Sequence, residues 1–380
     1  MDLRAHLTRL HRYAGLTMAG FLVLVGLTGS VLVFRPELDR LFNSDLTSVL
    51  WSGSSLPIDT LVERIEAAAP GVRVTGLGLE RAAGRSVEMR IDSPTGAANL
   101  LYADPATGRI VGLRSTEGCC DRRNIMEFIY RLHYTLHGGQ AVRTLLGWIA
   151  FLWMIDAVVA FFLTLPRGKP FFSKWKTSWR IKSGTRGYRL HLDLHRATGL
   201  WLWPILFLLA ATGVYFNLRT EIFNPVVTTF TTLAPSPFAA RDVAPLPASG
   251  ISFGSALEVG MRERARAGIT GYPLRIDYSP DAAFYAISFG EAEPAGYGNG
   301  RIYVDGRTGS VVDIRVPGRG SVGDQIAALQ YPIHSGQIIG LPGRLVVFAS
   351  GIVTALLSVT GVLIWWKKRE GRAKPRRART

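Results

Sequence analysis

The stretch His11-Arg-Tyr-Ala-Gly-Leu16 recurs 184 positions later as His195-Arg-Ala-Thr-Gly-Leu200, and this repeat decides the fold. Each copy opens an apolar run long enough to cross a bilayer. Each histidine is followed 17 residues later by a Thr-Gly pair, Thr28-Gly29 in the first copy and Thr212-Gly213 in the second. Because the same motif occurs at the same depth in both apolar runs, the sequence predicts an internally duplicated membrane protein.

Four apolar runs predict a membrane bundle of four transmembrane helices. Each has about the 20 residues that a spanning helix needs. They are Tyr13–Phe34, Thr144–Pro166, Ala197–Leu218 and Leu345–Trp366. The first run is too long for a signal-peptide core and has no small-x-small cleavage site before Arg35, which favours a retained anchor.

The basic residues orient the chain. Residues 1–12, 167–196 and 367–380 hold 20 of its 44 Lys and Arg residues but only three of its 28 acidic ones. By the positive-inside rule these segments and both termini are cytoplasmic, and the polar segments 36–135 and 219–333 lie outside. A chain that is both basic and apolar has a lipid bilayer as its partner and not a nucleic acid.

The plan is therefore helix–module–helix, twice, with two extramembrane α+β modules. The predicted segments are 1–35 (N-terminus and first helix), 36–135 (first module), 136–166 (second helix), 167–196 (basic loop), 197–218 (third helix), 219–333 (second module), 334–366 (fourth helix) and 367–380 (basic tail). The first and third helices both run outward, so the two halves are related by an axis along the membrane normal.

Each module repeats the same local signals. Ile58–Ala69 and Phe253–Ala267 have the apolar spacing of amphipathic helices, and Arg85–Ile91 and Arg275–Phe289 alternate like strands. Both modules then reach one hairpin motif, Asp-x-x-Thr-Gly, at Asp104–Gly108 and Asp305–Gly309. The aspartate caps the turn and the glycine permits a positive φ. Thr228–Pro247 is predicted to be a linker.

Four histidines lie at the mouths of the predicted helices, as two pairs. His11 and His195 form an inner pair, and His137 and His334 form an outer pair. Two facing imidazoles bind haem iron from both sides, which gives a low-spin electron carrier with no open position. The sequence thus predicts haem b, two per chain, arranged as a transmembrane wire.

Other histidines leave alternatives open. His133 and His191 each precede a proposed ligand by four residues, on the same helical face, so they are alternative ligands, second-shell partners or proton carriers. The H-x₃-H spacing also suits zinc. His6 is interpreted as incidental.

Polar residues beside these histidines are candidates for supporting roles. Haem propionates need cationic partners, and the candidates are Arg12, Arg196, Arg143 and Arg344. Arginines that flank a membrane also extend to lipid headgroups without any cofactor. Asp156, within the second helix, is predicted either to relay protons or to make a structural hydrogen bond.

The only two cysteines, Cys119 and Cys120, are adjacent. An oxidising compartment would allow a vicinal disulfide, and a redox role and an incidental pair stay equally open. There is no C-x-x-C-H motif, which excludes covalent c-type haem attachment by that motif.

Over nearly its full length the chain resembles the PepSY-associated transmembrane-helix family, often called iron-regulated membrane proteins. The resemblance rests on both His-Arg-x-x-Gly-Leu openings, the Leu132-His-x₃-His137 element, the Asp-x-x-Thr-Gly hairpins and the Asp193-Leu-His195 lead-in. Characterised relatives are ferric-siderophore reductases of the bacterial inner membrane that carry haem on histidines. The resemblance implies periplasmic PepSY-like modules and, as haem ligands, His11, His195, His137 and His334.

The leading functional hypothesis is a haem-containing reductase that reduces a periplasmic ferric siderophore or other ferric chelate. No G-x-G-x-x-G fingerprint lies between a strand and a helix, so the predicted electron donor is quinol or a separate cytoplasmic reductase. Two alternatives are a non-enzymatic PepSY protein that binds peptide or metal, and an electron-transfer subunit for another periplasmic enzyme.

Overall fold

The computed structural model describes residues 2–50, 54–80, 82–96, 98–238, 243–291 and 295–373. The basic residues 374–380 and part of the predicted linker, 239–242, lie outside this range. The α-helices are α1 (Leu3–Leu32), α2 (Arg35–Phe42), α3 (Ser44–Thr47), α4 (Ile58–Ala68), α5 (Ile125–Thr135), α6 (Gly139–Thr164), α7 (Phe171–Lys176), α8 (Gly187–Trp201), α9 (Trp203–Asn217), α10 (Asn224–Thr228), α11 (Phe253–Ala267), α12 (Val322–Ser335) and α13 (Leu341–Ala373).

Within the described residues, the strands form one antiparallel sheet of eight strands. They are β1 (Arg73–Gly78), β2 (Val87–Asp92), β3 (Leu100–Ala103), β4 (Ile110–Arg114), β5 (Tyr272–Ser279), β6 (Phe284–Gly290), β7 (Gly300–Asp305) and β8 (Val311–Arg315). Their order is β4-β3-β2-β1-β5-β6-β7-β8. The sequence predicts two modules, and the structure joins them edge to edge where Leu77 of β1 pairs with Ile276 of β5.

The two modules also share one hydrophobic core. Leu61 and Ile65 of α4 and Ala256 of α11 pack on the same face of the sheet as Met89 and Ile287, and all five are fully buried. Residues 58–68 and 253–267 were both predicted to be amphipathic helices, and this prediction is confirmed apart from one residue at the end of α4.

The predicted hairpin turns are confirmed. Asp104 accepts a hydrogen bond from the Ala106 amide at 2.9 Å, and Asp305 accepts one from the Arg307 amide at 2.8 Å. Gly108 and Gly309 have φ angles of +75° and +73°, a backbone conformation that residues other than glycine rarely adopt. The single predicted stretch 275–289 holds two strands, β5 and β6, because the chain turns between Ser279 and Phe284.

The opposite face of the sheet carries charges on its central strands. Arg275 bonds Glu88 at 3.2 Å and Asp277 at 2.8 Å. At the edges this face is covered by Leu46 of α3 on one side and by Phe238 on the other. This face of the sheet is therefore charged at its centre and covered by apolar side chains at both edges.

The apolar helices pack as a bundle. α1 lies against α13 and α6, while α9 lies against α6 and α8 against α13. At Gly26 a Cβ would lie 2.6 Å from the Gly351 carbonyl oxygen, so α1 and α13 touch through their backbones. The Ser30 hydroxyl adds a 2.8 Å hydrogen bond to the Phe348 carbonyl. Small residues thus determine the closest helix pair.

Three helices, α1, α6 and α13, are long and apolar enough to cross a membrane, and a fourth span exists if α8 and α9 count as one. The sequence predicts a third helix at Ala197–Leu218, whereas the structure bends the chain by 71° between Trp201 and Trp203. Pro204 explains the break, because it lacks the amide hydrogen that would continue the helix.

Candidate functional site

Two histidines meet at the sheet end of the bundle. His133 lies in α5 and His334 in α12, the helices that immediately precede the long helices α6 and α13. Their ring centres are 6.2 Å apart. Nδ1 of His133 lies 3.1 Å from the Thr28 hydroxyl, and Nδ1 of His334 lies 2.7 Å from the Thr212 hydroxyl. We call His133 and His334 the sheet-side pair.

The threonine hydroxyls orient these two rings. Thr28 donates its hydroxyl hydrogen to Leu24 O of its own helix at 2.7 Å, and Thr212 donates to Leu208 O at 2.8 Å. Each hydroxyl oxygen is then left as an acceptor, so the imidazole donates through Nδ1–H. The lone pair of Nε2 therefore remains available for a metal.

A second pair, which we call the distal pair, lies at the opposite end of the bundle. The rings of His11 and His195 have centres 6.0 Å apart. Nδ1 of His11 lies 2.9 Å and 3.0 Å from the two carboxylate oxygens of Asp156, which is 6% exposed. Nδ1 of His195 lies 3.0 Å from Leu357 O and 3.2 Å from the Thr360 hydroxyl. Both rings again donate through Nδ1 and keep Nε2 free.

Both pairs fit an iron bound between two imidazoles. A ring nitrogen binds a metal at about 2 Å, so rings on opposite sides of one iron have centres about 6 Å apart. A haem iron needs two protein ligands because the porphyrin fills its other positions, whereas zinc takes three or four. Each pair supplies two imidazoles of the required tautomer, and so the donor set suits haem.

Glycines make room for the rings and for a flat group beside them. A Cβ at Gly29 would lie 3.0 Å from Cε1 of His133, and one at Gly361 would lie 3.3 Å from Cε1 of His195. Gly15, one helical turn beyond His11, has open space where a Cβ would be. Of the glycines in the repeated sequence motifs, Gly29 therefore contacts a candidate ligand, whereas Gly213 faces Ala150 instead.

The two pairs lie at different depths of the bundle. His11 and Thr28 are 17 residues apart in α1, which corresponds to about 25 Å along the helix axis. The hydrocarbon core of a bilayer is about 30 Å thick. One pair therefore lies near each end of the apolar region.

The other histidines do not contact either pair in the part of the chain that the structure describes, and His137 has partners of its own. The ring of His137 stacks on Phe128 with centres 4.3 Å apart, and its Nε2 bonds Phe128 O at 3.0 Å. The residue is exposed and has a φ of +57°. The outer pair predicted from the sequence, His137 with His334, is thus replaced by His133 with His334. His191 lies one turn before His195, and His6 is exposed beside its own helix terminus.

Three of the four candidate propionate arginines have partners within the protein. Arg344 donates to Val33 O at 2.8 Å, and Arg143 donates to Phe216 O at 2.6 Å, so each caps the carboxyl end of a neighbouring helix. Arg196 bonds the buried Asp193 at 3.3 Å. Arg12 makes no hydrogen bond to any residue in the described ranges and lines an open, basic cavity of about 400 Å³. Arg12 is therefore the candidate best placed to meet an anion.

The adjacent cysteines are joined to each other by a disulfide bond. Both are exposed, in the loop between β4 and α5. Arg131 of α5 holds this loop through a 3.0 Å hydrogen bond to Gly118 O.

Sequence reasoning missed the roles of Thr28, Thr212 and Thr360. The first two were noticed only as part of a repeated Thr-Gly pair. Their equal spacing of 17 residues from His11 and His195 was the available signal, because it places both hydroxyls at one level. Thr360 carries no such repeat and could be found only from the packing of α8 on α13.

The sequence matches the family described as PepSY-associated TM region over residues 8–368. The chain belongs to this family. The matched range contains both histidine pairs, Asp156 and all eight strands, so the PepSY-associated family covers the whole candidate site. No curated protein matches the chain.

Proposed function

We propose that this protein is a haem-containing oxidoreductase of the bacterial inner membrane that passes electrons outward to a periplasmic ferric chelate, such as a ferric siderophore. The observation that carries the proposal is the pair of bis-histidine sites, with ring centres 6.0 Å and 6.2 Å apart, near the two ends of one bundle. Bound haem would supply one-electron chemistry without an open coordination position.

In this proposal the chain crosses the membrane four times, with α8 and α9 forming one broken span. The basic residues at 1–12, 167–196 and 367–380 support a cytoplasmic location for the distal pair. The sheet then lies in the periplasm. The strand order is symmetric about the β1–β5 contact, and this symmetry supports an internal duplication.

Each histidine has a defined part in the proposed site. His11 and His195 would hold haem on the cytoplasmic side, and His133 and His334 would hold it below the sheet. Their Nδ1 partners fix the tautomer that leaves Nε2 as the ligand atom. Arg12 would meet a propionate at the cytoplasmic surface.

The charged face of the sheet is the proposed docking surface for the ferric chelate. It carries an ion-pair network of Arg90, Arg275, Glu88 and Asp277. One electron converts the chelated Fe(III) to Fe(II), which binds hard oxygen ligands less tightly, and the iron is released. A quinol or a cytoplasmic reductase would supply that electron.

The first test is the reduced-minus-oxidised visible spectrum of the detergent-purified protein, with haem quantified per chain. The expected result is a low-spin b-type spectrum and two haems per chain. His195→Ala and His334→Ala should each remove one haem, and the double variant should remove both. A protein that contains no haem and binds none on reconstitution would overturn the proposal and favour the peptide- or metal-binding alternative.

The second test separates a reductase from an electron-transfer subunit. The dithionite-reduced protein is mixed anaerobically with ferric chelates, and haem reoxidation and Fe(II) formation are followed together. A reductase should reoxidise while forming one Fe(II) for each electron lost. Reoxidation only by another periplasmic protein would instead favour the electron-transfer subunit.

A further inference from the structure

The hydrogen-bond partners of the two histidine pairs differ in charge. At the sheet-side pair both Nδ1 atoms face the neutral hydroxyls of Thr28 and Thr212. At the distal pair Nδ1 of His11 faces both oxygens of the Asp156 carboxylate, at 2.9 Å and 3.0 Å. Among the described residues, the Asp156 carboxylate is the one charged hydrogen-bond partner of these four rings, because the partners of His195 are again neutral.

We infer that Asp156 is a positioning residue that makes the distal site more reducing than the sheet-side site, so that the direction of electron flow toward the sheet is built into the helix bundle. This inference rests on the proposed function, because it assigns a haem to each pair. It replaces the proton-relay and purely structural roles that the sequence left open for Asp156.

The physical reason is the effect of the carboxylate on its histidine. An imidazole whose N–H is given to a carboxylate becomes a more basic ligand, and a more basic ligand stabilises the oxidised iron. A threonine hydroxyl does this less, because it is neutral and its own hydrogen is already donated to a helix carbonyl.

The setting of Asp156 strengthens the effect. It is 6% exposed within α6, and a hydrogen bond to an ionised group is stronger in a medium of low dielectric constant than in water. A carboxylate at membrane depth is costly to bury, so its position opposite His11 needs a compensating interaction. The bond to Nδ1 of His11 supplies one.

The negative charge of Asp156 would favour transfer of one electron from the distal pair to the sheet-side pair. With haem bound at both pairs, the electron would leave a ferrous iron held by His11 and His195 and enter a ferric iron held by His133 and His334, so the electrons would balance and no proton would need to move. A quinol or a cytoplasmic reductant then returns an electron to the distal side, and the ferric chelate removes one from the sheet side.

The test is a potentiometric titration of the purified protein followed by its visible spectrum. The wild type should show two midpoint potentials. His334→Ala, which removes a ligand of the sheet-side pair only, should leave the lower midpoint and so assign it to the distal pair. If the remaining midpoint is the higher one, the inference is overturned whatever the Asp156 variants show.

The decisive variant is Asp156→Asn, which removes the charge with little change in shape. The lower midpoint potential should rise by about 59 mV, which for a one-electron couple corresponds to about a tenfold change in the equilibrium constant. The higher midpoint should not move, and Asp156→Glu should restore the lower one. Thr360→Val is the matched control because it alters a neutral partner of the same pair.

Two further outcomes are distinguishable. An Asp156→Asn protein that keeps two haems and both wild-type midpoints would overturn the role of Asp156 while leaving the proposed function intact. A wild-type protein without haem would overturn the proposed function itself, and this inference with it.

Discussion

The imidazole rings of His133 and His334 lie 6.2 Å apart, although the two residues are separated by 201 positions and belong to different short helices. Neither helix spans the membrane. α5 and α12 lie at the mouth of the bundle and insert one ring each against α1 and α9. The sheet-side site is therefore built by the segments between the modules and the long helices.

The first prediction separates His133 from His137. His133→Ala should remove the sheet-side haem, because it deletes one of the two axial ligands. His137→Ala should keep both haems, because its ring stacks on Phe128 and bonds Phe128 O. Haem per chain, measured as the pyridine haemochrome, decides between them. Loss of haem in His137→Ala alone would show that the outer ligand is His137 after all.

The second prediction concerns the threonine hydroxyls. Thr28→Val and Thr212→Val keep the side-chain shape but remove the acceptor that orients each ring. Second-shell changes of this kind cost about 10- to 100-fold in affinity for the bound metal or cofactor. The rate of haem loss to excess apomyoglobin should rise accordingly. Thr144→Val is the control, because Thr144 is half-buried and its hydroxyl donates to Gln140 O of its own helix, away from both histidine pairs. Equal rates in all variants would contradict the assignment.

The third prediction concerns the glycines beside the rings. Gly29→Ala would place a Cβ 3.0 Å from Cε1 of His133, so the ring or α1 must shift. Overpacking of this kind typically costs about 1–3 kcal/mol, and the sheet-side haem should be retained poorly. Gly20→Ala in the same helix meets nothing within 4 Å and should leave haem content and thermal stability unchanged. Matching haem contents in the two variants would count against the predicted contact.

The fourth prediction concerns the arginine caps. Arg344→Ala should lower the free energy of unfolding by about 1 kcal/mol, because it removes a charged hydrogen bond at the carboxyl end of α1. Arg143→Ala should do the same at α9. Both variants should keep the wild-type haem spectrum, whereas Arg12→Ala should alter haem retention without lowering the melting temperature. A spectral change in Arg143→Ala or Arg344→Ala would restore the propionate role.

The fifth prediction concerns the pH dependence of the helix that carries His334. Burial raises the pKa of Asp324, but hydrogen bonds from Ala234 N and from Ser321 outweigh this and hold the pKa below its ordinary value. A depressed folded pKa contributes stability above the unfolded pKa of about 3.9, and this contribution is lost as the pH falls through the folded value.

The Asp324→Asn variant should therefore be less stable than wild type at pH 7 by about 0.5–1 kcal/mol, the size of an ordinary helix cap. The difference should shrink as the pH falls below 4. Thermal unfolding followed by circular dichroism at both pH values measures it. A difference that stays constant with pH would show that the capping box does not depend on the charge of Asp324.

Much of the local structure could be predicted because its causes are local. The apolar runs predict α1, α6 and α13 from their length alone, and the Asp-x-x-Thr-Gly motifs predict both hairpin turns from five consecutive residues. The repeated spacing of 17 residues from histidine to Thr-Gly indicated that the same polar groups lie at the same two depths in two helices. These features depend on backbone geometry and on the transfer of apolar side chains out of water, and both are determined by residues that are neighbours in the sequence.

Tertiary structure decided the rest, because contact between distant segments does not follow from spacing. His133 and His137 lie four residues apart, and the sequence favoured His137 as the ligand with His133 as an alternative. Only the left-handed backbone at Leu136 and His137 turns one ring toward Phe128 and leaves the other facing His334. In the same way Asp156 met His11 across 145 positions, and two predicted modules joined through β1 and β5. The sequence by itself determined which elements form, while packing determined which side chains share a site.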